Sequence, residues 1–130
     1  MTIFTKLING VIPCYKIYED TLTFAFLDNS PIQKGHTLIV PKIEVDNWLD
    51  LPSEYYLAVH KTARVIAPAI QMAVSPIRIG QMVDGRQVPH FHLHLIPLFD
   101  TFDIIERSDF VPTPESMSEV QKAILSFLQI

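Results

Sequence analysis

Apolar and polar positions change rhythm several times along this chain, and each rhythm predicts an element. Ile3 to Ile8 form a short cluster that reads as an opening turn or helix, stopped by Asn9-Gly10. Tyr15 to Tyr18 and Leu22 to Leu27 follow a period of two around the Glu19-Asp20 turn signal, with Leu22, Phe24 and Phe26 on one face. Asp28-Asn29-Ser30-Pro31 ends that strand, and Gly35 opens a further run, His36 to Val40, which Pro41 closes. From Pro52 to about Met72 the period lengthens to that of a helix, with Tyr56, Val59, Ala63, Ile66 and Ile70 in one apolar stripe. Pro52 suits a first turn, whereas Pro68 removes a helical hydrogen bond and is expected to kink or end the helix near Ala67. Strands are predicted at Ile77 to Val83 and Val88 to Leu98, around an Asp84-Gly85 turn. A C-terminal helix over about 116–130 starts at a capping box from Ser116 to Glu119 and carries a stripe of Met117, Val120, Ile124 and Phe127. Short strands on both sides of one long central helix predict an α+β fold with a mainly antiparallel sheet.

Composition narrows the class. With 130 residues, 48% hydrophobic and 18% charged, the chain has material for one core and is read as a single domain over 1–130. A net charge of −4 argues against a basic face able to displace counterions from phosphates, so no nucleic-acid partner is expected. The lone cysteine, Cys14, cannot form an internal disulfide. No apolar run has the length of a membrane span, and Met1 to Pro13 lack a signal-peptide pattern, so a cytoplasmic protein without membrane contact is expected.

The chemistry concentrates in His90-Phe91-His92-Leu93-His94-Leu95. In a strand, His90, His92 and His94 project to one side while Phe91, Leu93 and Leu95 project to the other. A strand with one apolar face and one face of imidazoles is not a packing solution, because each buried ring needs polar partners. Two chemistries remain open. Same-face neighbours stand about 6.8 Å apart along a strand, so two of them can share a metal ion while all three converge poorly. His36, His60 or Cys14 are candidates to complete such a site, although none shows a ligand spacing. Phosphorus chemistry is the alternative: neutral imidazole is a nucleophile near neutral pH, and a row of rings can divide attack, orientation and phosphate contact.

The H-φ-H-φ-H-φ-φ pattern of His90 to Ile96 resembles the signature of the histidine-triad (HIT) family of nucleotide hydrolases and transferases. Ile3 to Ile8, Ile12-Pro13, Tyr18-Glu19-Asp20, Ala25 to Pro31 and Gly35 to Lys42 are similar to the family's earlier blocks in order and spacing, so the resemblance covers about residues 3 to 97. It implies a HIT-like five-stranded sheet with one long helix and a C-terminal element, commonly paired as a homodimer. It implies cleavage at the α-phosphate of nucleoside phosphoramidates or dinucleoside polyphosphates through a covalent nucleotidyl-histidine, with a purine nucleotide as substrate and neither cofactor nor metal. His92 would be the nucleophile. His94 would contact the phosphate and help protonate the leaving group, while His90 and His36 would orient the others. Asp28 would hold the ribose, Phe4, Leu7 and Phe26 would wall the base pocket, and Asn29 stands beside the ribose where relatives carry an apolar residue.

The resemblance departs from the family before the triad. Arg86 takes the place of a glutamine and Gln87 that of a serine that often assists the leaving group, so Arg86 is a candidate clamp for an extra phosphate. The competing reading is a nucleotide-binding sensor or scaffold with little turnover.

Overall fold

The computed structural model describes residues 1–100, 104 and 106–128. The elements run α1 (Ile3–Ile8), β1 (Lys16–Glu19), β2 (Thr23–Leu27), β3 (Thr37–Pro41), α2 (Ser53–Val74), β4 (Arg78–Met82), β5 (Leu93–Leu98) and α3 (Pro114–Phe127), with a 3₁₀ turn at Trp48–Asp50. The five strands form one sheet in the order β1-β2-β3-β5-β4, and every pair is antiparallel. Among the described residues no helix is long and apolar enough to cross a membrane.

Both faces of the sheet's middle are covered. On one face Ala25, Leu27, Ile39, Leu93 and Leu95 pack against α2 and α3. On the other, Phe24, Phe26, Leu38 and Val40 meet Phe4 and Leu7 of α1 in a smaller core. This explains why β2 and β3 are buried at every position, as strands sandwiched between two layers must be. Thr2 caps α1 by accepting the Thr5 N–H (3.2 Å), which seats Phe4 and Leu7 over the sheet.

Three expectations are corrected. Helix α2 does not end near Ala67 but runs through Pro68 to Val74. Ala69 and Ile70 are buried beyond the proline. Burying a side chain such as Ile contributes about 1.5–3 kcal/mol, comparable to the ~3 kcal/mol cost of an interior proline. Helix α3 begins at Pro114, with Thr113 as its cap and Ser116 as the reciprocal partner three residues on, because Pro114 needs no donor in the first turn. The predicted end of that helix at 129–130 lies outside the described residues, and Phe127 stays exposed while Met117, Val120 and Ile124 are buried. Strand β5 starts at Leu93 rather than Val88. Pro89 has no N–H to offer a ladder, and the Phe91 N–H is diverted to the Val45 carbonyl (2.7 Å). His90 and His92 therefore precede the strand, and His94 alone of the three lies within it.

Candidate active site

Although the regular strand is shorter than predicted, the alternation holds. Phe91, Leu93 and Leu95 enter the large core, while His90, His92 and His94 lie on the side of α1, all buried. His94 stands opposite Leu38 in the β3–β5 register. The rings make a row: the His92 and His94 centroids are 5.0 Å apart, those of His94 and His36 5.1 Å. Phe4 sets its ring edge-on to His92 at 5.1 Å and to His90 at 5.5 Å.

The hydrogen bonds fix each tautomer. A carbonyl only accepts, so the Pro41 carbonyl draws the His90 proton to Nε2 (2.9 Å). The Nδ1 of His90 is then an acceptor, and the Thr2 hydroxyl donates to it (2.7 Å). The His90 carbonyl accepts from His92 Nδ1–H (2.8 Å), which leaves His92 with a lone pair on Nε2. At the far end the Ile32 N–H donates to His36 Nδ1 (3.0 Å). His36 carries its proton on Nε2 and gives it to His94 Nδ1 (2.9 Å), so His94 holds one proton, on Nε2. The row thus presents a lone pair from His92 beside an N–H from His94. Second-sphere hydrogen bonds set such imidazole tautomers generally.

Burial favours the neutral form of His36, His90 and His94. Burial pushes His36 down to about 4, although the Asp28 carboxylate opposes the shift. Burial also depresses His90 and His94, the latter further through its neighbour His92. Asp28 accepts the Ser30 N–H on Oδ1 (2.8 Å) and holds Oδ2 3.6 Å from His36 Nε2.

Asp28, His36 and His94 bring ligand-type atoms within 4.8 Å of one another. A neutral imidazole that binds a metal through one nitrogen carries its proton on the other. His36 Nδ1 is already the acceptor of the Ile32 N–H, so coordination through Nε2 would cost that bond, and the arrangement suits a hydrogen-bond relay better than an ion. His60 sits on α2 against Tyr56 and Cys14 borders the small core. Neither joins that cluster.

Two clefts flank His92. One, of about 140 Å³, is lined by Asp28, His36, Gln87, His92, His94 and Arg107, among others. The other, of about 340 Å³, lies between Trp48, Asp84, Arg86 and His92. Gln87 therefore shares a cleft with His92 and His94. Arg86 does not reach the cleft that holds His94: it pairs with Asp84 through Nε and Nη2 (2.7 and 2.8 Å), and its side chain is 87% exposed. Phe4, Leu7 and Phe26 are buried in the small core, where Phe4 alone of the three is seen against His90 and His92, and Asn29 is exposed.

Sequence reasoning missed Thr2, Glu44 and Arg107. Glu44 Oε1 accepts from the Thr2 N–H (2.7 Å) and the Thr5 hydroxyl (2.6 Å), so it anchors the residue that anchors His90. The Thr2 side chain was detectable as a helix cap, but its second bond crosses 88 positions. Arg107 follows β5 in an irregular stretch with no pattern to single it out.

Comparison with known proteins points to one family. The HIT domain model matches residues 9–101. "Protein hit" of Bacillus subtilis is 38% identical over 106 residues, 78% of this chain and 73% of that protein. A HIT-like protein from Bartonella henselae has a crystal structure that superposes with a TM-score of 0.85 at 32% identity, covering 98% of this chain and 96% of that one. The adenylylsulfatase HINT3 of Arabidopsis thaliana is 32% identical, over 73% of this chain and 51% of that protein. The adenosine 5'-monophosphoramidase HNT1 of Saccharomyces cerevisiae is 33% identical, over 75% and 63%.

Proposed function

The chain belongs to the HIT family, and from that premise we propose that it is a nucleotide hydrolase or nucleotidyl transferase acting through a covalent nucleotidyl-His92. The observation that carries the reading is the 2.8 Å bond from His92 Nδ1–H to the His90 carbonyl, which commits one ring nitrogen and leaves Nε2 as the nucleophile. Nε2 attacks the α-phosphorus, the bond from phosphorus to the leaving group breaks, and the electron pair departs with that group. The ring gains a positive charge, which the His90 carbonyl stabilises through Nδ1–H. Water then attacks the same phosphorus, the pair returns to Nε2, and a nucleoside monophosphate and a proton are released.

His94 Nε2–H donates to a phosphoryl or departing oxygen, and oriented donors of this kind stabilise charge that develops in the transition state. His36 and His90 are positioning residues. Asp28 accepts from ribose hydroxyls, Gln87 faces the leaving group, and Phe4, Leu7 and Phe26 with Asn29 border the nucleoside of a purine nucleotide. The homodimer common in the family is expected along the open outer edge of β4, beside which Met72 and Ile77 are exposed by 62% and 71%. Sedimentation tests that pairing.

Incubation with adenosine 5'-phosphoramidate, adenylyl sulfate and a dinucleoside polyphosphate, followed by mass spectrometry under neutral conditions, should yield one nucleotidylated residue, His92. His92→Ala should retain the circular dichroism of the parent and lose turnover. Undiminished turnover in that variant overturns the assignment, and tight nucleotide binding without turnover on any substrate would instead identify a sensor or scaffold.

A further inference from the structure

Arg107 is the cationic side chain that the structure brings to the cleft shared by His36, His92 and His94. Its Nη1 donates to the Ser30 and Pro31 carbonyls (2.8 and 3.2 Å). Those acceptors hold the guanidinium in place without cancelling its charge, and among the described residues no carboxylate lies within ion-pair distance of it. Of the two acids that line the cleft, Asp84 is paired with Arg86 and Asp28 lies beside His36. Among the described residues only Nη1 has an acceptor, and a guanidinium held through one nitrogen can make a planar, two-point grip on an oxyanion.

The histidine row points the same way. Ile32 N–H, His36 and His94 form a directed chain of donors. A second proton on His94, at Nδ1, would face the His36 Nε2–H. His94 therefore meets the leaving group as a neutral N–H, suited to steady an oxygen that leaves as a stable anion. It is ill suited to deliver the full proton that a departing amine requires.

Resting on the His92 reading above, we infer that Arg107 is a specificity-determining residue that recognises an anionic leaving group, so that the protein favours nucleotides in anhydride linkage to phosphate or sulfate over phosphoramidates. In the step concerned, His92 Nε2 bonds to the α-phosphorus as the anhydride P–O bond breaks. The electron pair stays on the departing phosphate or sulfate oxygen, whose charge Arg107 meets, and no proton is consumed.

The test compares kcat/KM for adenylyl sulfate with that for adenosine 5'-phosphoramidate. The wild-type ratio is expected to favour the anhydride and to fall as salt is raised from 50 to 500 mM, both chosen as assay conditions. Arg107→Gln should lower the ratio at least tenfold, and Arg107→Lys, which keeps the charge without the fork, should fall between. A wild-type preference for the phosphoramidate overturns the inference, as does a ratio in folded Arg107→Gln within twofold of wild type. Should Arg107→Gln fail to fold, the Arg107→Lys ratio and the wild-type salt dependence decide, and a ratio unmoved by either overturns the inference. If His92 is never nucleotidylated, the underlying reading fails and this inference with it. If it is nucleotidylated and the ratio does not move, only the role of Arg107 falls.

Discussion

Lowering the pH from 7 to 5 should destabilise the fold before any carboxylate titrates substantially. His36 is 2% exposed, and burial holds its pKa at about 4 against an ordinary value of 6.5. The folded state keeps the ring neutral while the unfolded chain protonates it. Its stabilising contribution is therefore complete above about pH 6.5 and is lost as the pH falls toward 4. For that pair of values the linkage relation gives a loss of about 2 kcal/mol between pH 7 and 5 from His36 alone. His90 and His94 are depressed in the same direction and add to it. Glu19 and Asp20, whose lysine partners and backbone donors hold them below their ordinary values, contribute above those values and lose ground only in stronger acid. Urea titrations at the two pH values measure the difference directly: an m-value of roughly 2 kcal/mol/M converts the loss into a midpoint about 1 M lower at pH 5. NMR titration of the His36 ring supplies the site-specific check. Equal midpoints at pH 7 and 5, or a His36 ring that protonates above 6.5, would refute the neutral hydrogen-bonded relay.

Thr2→Val removes both the α1 cap and the donor to His90 Nδ1, leaving a buried acceptor unpaired. It should cost about 2 kcal/mol in denaturant stability and lower kcat, with Thr2→Ser restoring most of both. Phe4→Ala opens a hole between Phe26 and His92. Calorimetry should show a loss of about 3 kcal/mol, and kcat should fall because the His92 ring loses its lateral support. Gly35 adopts φ +91°, and a Cβ there would meet Pro97 and Val74 at 3.3 Å. Gly35→Ala should therefore destabilise by about 1–2 kcal/mol and weaken the neighbouring His36–His94 bond, seen as a changed His94 titration. An unchanged melting temperature in any of these three variants removes the corresponding contact from the account.

Local pattern was enough to locate nearly every element and to separate the apolar from the imidazole face of His90 to Leu95, because side-chain alternation in extended backbone depends on the chain itself. It also predicted the α2 stripe, of which Val59, Ala63, Ile66 and Ile70 are buried. Local pattern failed where a distant partner decides the outcome. Pro68 breaks helices in isolation, yet α2 continues because the sheet buries the turn beyond it. The strand before Leu93 dissolves because Val45, far away in the chain, captures the Phe91 N–H. Arg86 and Arg107 are both cationic and unremarkable in sequence; a local turn sets the first on Asp84 two residues away, whereas tertiary structure brings the second to the histidines. The tautomers depend most on the fold. Residue type makes His92 a candidate nucleophile, but only a carbonyl at one nitrogen, Thr2 beneath His90 and Ile32 beyond His36 decide where each proton sits. A hydrogen bond is directional and short-ranged, so no spacing rule along the chain contains that information.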